Sequence, residues 1–530
     1  MSRTSTPVLI VGAGPAGLSA AIELTRWGVP VDVIDSAEES NPQSKAFTIQ
    51  PLTAEWLSSI GLSDDFQERC VRMRSMDYRF ANKTDKIARL DFEALADTRH
   101  RYVMAIPQST TEALMRGWLS AHGVTVRWGT TLRHARQDPE GVTAVLSRSD
   151  GTTTEVRTEW LIGSDGLRST VRGLLGLKFE GTTYAGRTRM MDAPVADLKL
   201  DGDRIHYLID EAGMLLLSRL PGDTYRVLLS EPGGTAPTDR VIAQAEFQRV
   251  LDRHTIGASI GRPVSTSIFT IWRRDCPGYR RERIFLAGDA AHIHSIAGGL
   301  GLNAGVQDGI NLGWKLGLVA MGSARPSLLD TYEQERLPLD AQVMTVADKL
   351  HRILMDHSRP LADRIALVEE PHFLETATSR IAGLGYTYRD VVEAAPDAPA
   401  LADLAAGDRA PDVPLEPRGH ARVHDLLNKN TGYTLLTLHR SQPEPATLAL
   451  IDRIQRRYRG RVHPVTLHTS TPAACGAGSG SRPAPPNVHT VYGAPDTDVA
   501  CLIRPDGYLA GRVPISRQDA LLTHLEAVLT

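Results

Sequence analysis

RIFLAGDAAHIHSIAGGLGLNAGVQDGINLGWKLG, residues 283–317, decides how the rest of the chain is read. Arg283–Ala287 is a short apolar run that stops at Gly288-Asp289, the pattern of a buried strand bringing a carboxylate to its carboxyl end. Gly298-Gly299-Leu300-Gly301 follows as a glycine-rich loop. Val306, Ile310, Leu312 and Trp314 then predict a helix beginning near Asn303–Ala304. Glycines at a helix start let backbone N–H groups approach a ligand, and the partial positive charge there favours an anion. An ionised Asp only accepts hydrogen bonds, which suits the hydroxyls of a ribose-like chain. Alone, the stretch also fits a tight strand-to-helix turn.

Two distant segments ask for parts of the same ligand. Pro7–Val11 reads as a strand, Gly12-Ala13-Gly14-Pro15-Ala16-Gly17 as a turn, Ser19–Trp27 as a helix, and Val31–Ile34 as a second strand ending at Asp35. This is G-x-G-x-x-G in its strand–turn–helix setting, with Asp35 near the offset of about 20 residues expected of a ribose-binding acid. The motif alone does not choose FAD over NAD. Trp160–Gly163 then leads into Ser164-Asp165-Gly166-Leu167-Arg168-Ser169-Thr170-Val171-Arg172, again an Asp and a Gly at a strand end before a helix. Ser169 could simply cap that helix. A pyrophosphate, a polyhydroxyl chain and a ring that turns anionic on reduction together describe a flavin dinucleotide.

At 530 residues the chain exceeds one core, so two or three domains are expected. Hydrophobic and charged contents of 42% and 23% describe an ordinary globular protein, and a formal net charge of −3 gives no support for nucleic-acid binding. Cys70, Cys276, Cys475 and Cys501 are scattered without metal-ligand or CxxC spacing, so neither a metal site nor a disulfide framework is expected. No apolar run approaches the ~18 residues that span a bilayer, and the amino terminus lacks a signal-peptide pattern, so no membrane partner and a cytoplasmic location are expected.

Between the ligand segments, Arg79–Phe92 is mixed and β-like, where the chain first leaves the nucleotide domain, and Ile205–Ile209, Gly213–Leu220 and Tyr225–Ser230 read as strands of an inserted antiparallel sheet, one wall of a pocket. Ser327–Asp348 and Lys349–Met355 read as helices and Ala394–Pro399 as a linker. Strands at Tyr433–Leu438, Val462–Leu467 and Ala500–Arg504, helices at Ile451–Tyr458 and Gln518–Val528, and a loop at Ala473–Pro486 form a last small α/β unit. Packing or self-association into a homodimer is the expected role of that unit, since it has no paired cysteines. The fold class is α/β: a Rossmann-like domain (1–75, 101–185, 270–395), an inserted sheet domain (76–100, 186–269) and a carboxyl-terminal domain (400–530).

GAGPAG, IGSDGLRSTVR and LAGDAAH with GGLGLN, in this order, resemble the three FAD motifs of the class A flavin-dependent aromatic monooxygenases, such as para-hydroxybenzoate and phenol hydroxylases. The chain is most similar to the larger hydroxylases of polyketide antibiotic biosynthesis. GDRAPDVPL (Gly407–Leu415) and IRPDGYLAGR (Ile503–Arg512) resemble their extra thioredoxin-like carboxyl-terminal domain.

The resemblance implies that Gly12, Gly14, Pro15, Ala16, Gly17, Asp35 and Ser36 hold the ADP half of FAD. Lys45 would stand near the flavin or pyrophosphate, Gln108 near the ribityl or phosphate region, and Leu132 would meet adenine through its backbone. Asp165 would serve FAD and a passing NADPH or NADH, Asp289 the ribityl chain, and Gly301, Leu302 and Asn303 the flavin ring.

It also implies oxygen insertion from dioxygen into a small phenolic or polyketide-type aromatic substrate through a flavin C4a-hydroperoxide. His294 is the candidate for assisting substrate deprotonation, a structural hydrogen-bonding histidine being the alternative reading. Three departures stand out: Lys45 for the family's Arg, Leu52 for an Arg, and Ser295-Ile296, in a loop expected to face substrate, for a Pro-Pro pair. The last leaves Baeyer–Villiger insertion or epoxidation as an alternative. A non-catalytic flavoprotein that binds an aromatic ligand is the alternative from another class. A flavin-dependent halogenase is disfavoured because no W-x-W-x-I-P segment occurs.

Overall fold

The computed structural model describes residues 5–42, 45–81, 87–184, 188–230, 244–254, 256–392, 404–416, 420–427, 431–469, 481–483, 486–493 and 496–530. The expected linker Ala394–Pro399 and most of the expected loop 473–486 lie outside them.

Apolar runs without alternation predict strands buried on both faces. Ser5–Val11 pairs in parallel with Val31–Ile34 on one side and Thr153–Gly163 on the other, and Ile284–Leu286 extends the sheet next to Thr153–Gly163. All three ligand segments therefore leave the same carboxyl edge, where α/β sheets bind ligands. An antiparallel pair, Thr130–Asp138 and Gly141–Arg148, continues from Thr153–Gly163.

Two helices cover this sheet, Pro15–Arg26 and Gly301–Ala320. Gly309, Gly313 and Gly317 make their contact close. A Cβ at Gly309 would stand 2.1 Å from Ser19 Oγ, at Gly313 2.5 Å from Glu23 Cβ, and at Gly317 2.5 Å from Trp27 Cγ. The helix starts at Gly301, ahead of the expected Asn303–Ala304, because the loop glycines already curl the chain: Gly298 and Gly299 have φ of +83° and +65°. The two helices expected from Ser327 to Met355 are one, Asp330–Leu354, which accommodates Pro338.

The inserted sheet runs Ser259–Ile260, Thr188–Ala196, Thr224–Ser230, Gly213–Arg219, Arg204–Asp210, Ser75–Phe80, Ile87–Asp91. Its pairings are antiparallel except at one seam, where Arg204–Asp210 meets Ser75–Phe80 in parallel. That seam joins two excursions far apart in sequence, and nothing in either strand's alternation encodes its direction. One face packs on the Asp330–Leu354 helix in a core that includes Met214, Leu216, Leu228, Val343, Ala347 and Leu350. No helix among the described residues is long and apolar enough to cross a membrane.

The last domain places Tyr433–His439 parallel to Val462–His468, with Val499–Ile503 and Leu509–Pro514 added antiparallel and a closing helix Asp519–Val528. It is a β–α–β unit followed by β–β–α, the thioredoxin-like arrangement.

Candidate active site

The carboxyl edge of the parallel sheet brings the three segments into contact. Gly12 has φ +108°, and a Cβ there would stand 2.3 Å from the Ser164 carbonyl oxygen, so the first and second segments touch backbone to backbone. Gly14 meets nothing within 4 Å, which leaves open space over the start of the Pro15–Arg26 helix. Amides of that first turn have no intrahelical acceptor and carry the positive end of the helix dipole. Pyrophosphate fits there.

Asp35 turns inward at the end of Val31–Ile34: its carboxylate accepts from Ala13 N at 2.9 Å and from Ala37 N at 2.9 Å. Ser36 beside it is exposed. Thr130 N donates to Asp35 O at 2.8 Å, which places the strand carrying buried Leu132 against the same loop.

The two Asp-Gly arrangements, alike in sequence, differ in structure. Asp165 does not present its carboxylate to a ligand. It accepts from Ser169 Oγ and from the amides of Thr170 (2.6 Å) and Val171 (3.1 Å), capping the short helix that follows. Only its backbone remains for a cofactor. Asp289 is the opposite case. No protein hydrogen bond reaches its carboxylate among the described residues, and its surface is open within an otherwise buried stretch, Ile284–Gly288 before it and Ala290–His292 after it. Burial pushes its pKa up, with His292 and Lys45 pulling the other way. An acceptor left bare in a cleft asks for hydroxyl donors.

The backbone around Asp289 is clamped from both sides. Gly288 N donates to Asp308 Oδ2 at 2.8 Å, and Ala290 O accepts from Arg172 Nη1 at 2.9 Å. Asp308 is itself held by Arg336 Nε (2.7 Å) and His292 Nε2 (2.7 Å), while Arg336 Nη2 reaches Asp340 at 2.8 Å. Burial disfavours every charge here, but Arg336 and His292 outweigh it and keep Asp308 low. Asp340 and Asp308 push His292 up to about 9, and burial lifts Asp340. Donor atoms of His292, Asp308 and Asp340 lie within 4.8 Å of one another, a metal-like grouping. Arg336 already supplies the cation, so the cluster is a scaffold. In sequence Arg172 reads only as a helix residue, and the scaffold role of Asp308 and Arg336 has no local sign.

Lys45 is exposed, with Nζ 5.8 Å from the Phe269 ring centre. Its carbonyl accepts from Arg226 Nη1 at 2.8 Å, and Arg226 is gripped at both forks by Asp192. An arginine inside an apolar strand, Tyr225-Arg226-Val227-Leu228-Leu229, is the available sign of this tie. Gln108 fixes the same segment: its N donates to Ala46 O at 3.1 Å, and its side-chain amide donates to Glu112 at 2.8 Å.

At the start of the Gly301–Ala320 helix, the Asn303 side chain is spent inside the protein. Its Oδ1 accepts from Gln50 N at 2.9 Å and its Nδ2 donates to Thr48 O at 3.0 Å, so only its backbone is left to face a ring. Gly301 and Leu302 remain half-buried at the helix mouth. His294 lies beside them, its Nε2 3.9 Å from where a Cβ on Gly301 would stand. Its Nδ1 donates to Ser295 O at 2.9 Å, and its Nε2 is buried without a partner. Burial pushes His294 down to about 4. Ser295, expected to face substrate, is instead fully buried, its hydroxyl 2.9 Å from His351 Nδ1, whereas Ile296 is half-buried against the inserted sheet's core.

Residues 5–347 match the FAD binding domain family and residues 403–530 the carboxyl-terminal domain of aromatic-ring hydroxylases. The chain belongs to the FAD-dependent aromatic-ring hydroxylases. It is an FAD-dependent aromatic monooxygenase. It is 36% identical to pentachlorophenol 4-monooxygenase of Sphingobium chlorophenolicum over 98% of this chain and 96% of that protein. Among solved structures it is similar to OxyS anhydrotetracycline hydroxylase from Streptomyces rimosus (30% identity, TM-score 0.76, 99% of each chain). It is also similar to the flavin-dependent monooxygenase PieE in complex with FAD and substrate (25% identity, TM-score 0.77, 99% of this chain and 100% of that one).

Proposed function

We propose that this hydroxylase takes a phenolic ring as substrate and NADPH as electron donor, and that its cofactor lies along the edge from Asp35 to Gly301. The carrying observation is the bare Asp289 carboxylate on the cleft floor, beside the open helix start at Gly301 and the unpartnered Nε2 of His294. FAD, when bound, would supply the hydride-accepting and dioxygen-activating chemistry of the oxygen insertion. Asp289 accepts from ribityl hydroxyls. The amides at Gly301 and Leu302, with the helix dipole, stabilise negative charge at the ring edge they face. The amides around Gly14 and Ala16 would carry the pyrophosphate, with Gly17 packed against Gly12 and Ser164 behind them, and Asp35 with Ser36 the adenosine ribose. Lys45 supplies positive charge near Asp289.

His294, neutral at physiological pH, offers a lone pair to a substrate hydroxyl. An imidazole whose conjugate acid has a pKa of about 4 is a weak base, so it orients a phenol through a hydrogen bond more than it deprotonates it. Such an acceptor prefers neutral phenol to phenolate. The pentachlorophenol and tetracycline-type substrates in the relatives' names bracket the sizes to screen. The burial of Ser295 removes the reason for favouring Baeyer–Villiger insertion.

The test is a phenol screen on the purified yellow protein, following NADPH oxidation together with product mass under ¹⁸O-labelled dioxygen. One labelled oxygen on the ring is the expected result. Substrate-stimulated NADPH oxidation with the label in an ester would reverse the reading.

A further inference from the structure

The loop that carries His294 is fastened from behind by residues with no assigned part in the reaction. Ser295 Oγ accepts from Ala297 N at 3.2 Å, so its own proton is free to point at His351 Nδ1, 2.9 Å away. His351 belongs to the Asp330–Leu354 helix, and burial pushes it down to about 4, so it stays a neutral acceptor. Its ring lies on Tyr184, with centres 3.8 Å apart and planes at 31°. Tyr184 donates its hydroxyl to Asp348 Oδ1 at 2.9 Å, one turn earlier on the same helix, and its N donates to Ile271 O at 3.0 Å. One helix face therefore holds both the His294 loop and the segment through which the chain passes into the inserted sheet. The Ser295 carbonyl receives Nδ1–H of His294, which leaves the other nitrogen bare toward Gly301. The Ser295 hydroxyl accepts inside its own loop and donates across to the Asp330–Leu354 helix.

We propose that Ser295 and His351 are positioning residues: their hydrogen bond, seated on Tyr184, sets where His294 Nε2 meets the substrate hydroxyl and so how the reaction partitions. This rests on the phenol reading above. The two electrons of NADPH and one dioxygen leave either as hydroxylated product plus water or as hydrogen peroxide. A ring held out of line shifts the balance to peroxide.

The experiment measures product and peroxide per NADPH consumed, KM and melting temperature for FAD-loaded full-length variants. Ser295→Ala removes the donor. His351→Phe keeps a ring against Tyr184 but removes the acceptor, and His351→Asn puts an oxygen near the lost Nδ1 while giving up the ring. Product per NADPH is expected to fall about three- to tenfold in Ser295→Ala and His351→Phe, the worth of one buried hydrogen bond. It should be kept in His351→Asn, with FAD content unchanged in all three. In a His294→Ala background Ser295→Ala should have no additional effect.

Unchanged partition in Ser295→Ala would overturn the proposal. So would a loss in His351→Asn equal to that in His351→Phe, or an undiminished Ser295→Ala effect without His294. If Ser295→Ala fails to hold FAD, Ser295→Cys, which keeps a weak donor, is read against His351→Phe by the same criteria. Absence of oxygenated product from wild-type protein would instead sink the phenol reading.

Discussion

Asp165 and Asp289 occupy like positions at two strand ends, and their contacts predict opposite phenotypes. Asp289→Ala removes an acceptor with no protein partner, so the fold should lose little. FAD should bind about ten- to a hundredfold more weakly, as expected for hydrogen bonds to a charged group; flavin fluorescence titration measures this. Asp165→Ala leaves the Ser169 cap but removes the acceptor of the Thr170 and Val171 amides, and should lower stability by about 1–2 kcal/mol, read by urea melts, with a smaller change in FAD affinity. Histidines set a second residue-level expectation. His100, His294, His351 and His357 are each pushed down to about 4 by burial, so the unfolded chain takes up their protons first. Stability is present above the unfolded value near 6.5 and is lost as pH falls toward 4, by up to ~2 kcal/mol for each between pH 7 and 5. His292, raised to about 9, acts in reverse: its stabilisation is full below 6.5 and disappears as pH rises through 9. Asp340, lifted by burial, partly offsets the acid loss. Urea midpoints at pH 5, 7 and 9 should therefore peak at pH 7, and a monotonic trend would contradict these protonation states.

The pair of helices Pro15–Arg26 and Gly301–Ala320 carries the cofactor cradle at both of its amino-terminal ends, so their separation should matter to binding as well as folding. Gly309→Ala would put a methyl 2.1 Å from Ser19 Oγ and 2.5 Å from the Ala16 carbonyl. Backbone must move, and overpacking of this kind costs about 1–3 kcal/mol. A lower melting temperature together with weaker FAD binding is expected. Gly117→Ala, in the Gln108–Ala121 helix with nothing within 4 Å, should be neutral to stabilising by up to about 1 kcal/mol. The four-residue spacing of Gly305, Gly309, Gly313 and Gly317 is visible in sequence as a close-packing stripe, although the periodicity of large apolar residues around it is the louder signal. Strand–turn–helix punctuation makes the ligand edge legible, because glycine and Asp signals there are local. The parallel seam of the inserted sheet, the partner of Arg226 and the direction of the Ser295 hydroxyl are not legible, although an arginine in an apolar strand announces that a partner exists. Each depends on partners more than 50 residues away, and no local spacing encodes those.

Across the whole molecule, buried ion clusters join the carboxyl-terminal domain to the cofactor domain. Arg504 sends Nη1 and Nη2 to both oxygens of Glu335 (2.9 and 2.8 Å) and its Nε to Asp506 at 3.0 Å. Lys315 Nζ lies 2.8 Å from Glu335 Oε2, and Trp314 Nε1 donates to Asp506 Oδ2 at 3.0 Å. A second tie runs from Arg409 to Glu55 and Asp97. Glu335 adjoins Arg336, which holds Asp308, which holds the amide before Asp289. The far domain thus grips the Asp330–Leu354 helix one residue away from the arginine that supports the cleft floor. Breaking a buried ion pair on one side leaves its partner charge uncompensated, at about 3–5 kcal/mol. Arg504→Met strands the buried Asp506 and leaves Glu335 with Lys315 as its one cation, whereas Arg504→Met combined with Glu335→Leu, Lys315→Met and Asp506→Asn removes the charges together. The single variant should unfold its last domain first, splitting the thermal transition and exposing 404–530 to protease, and FAD affinity should fall with it. The quadruple variant should recover much of the stability but not the FAD affinity, since the helix that carries Arg336 is no longer pinned from the far domain. If the quadruple variant bound FAD as tightly as wild type, the brace would be a matter of stability alone.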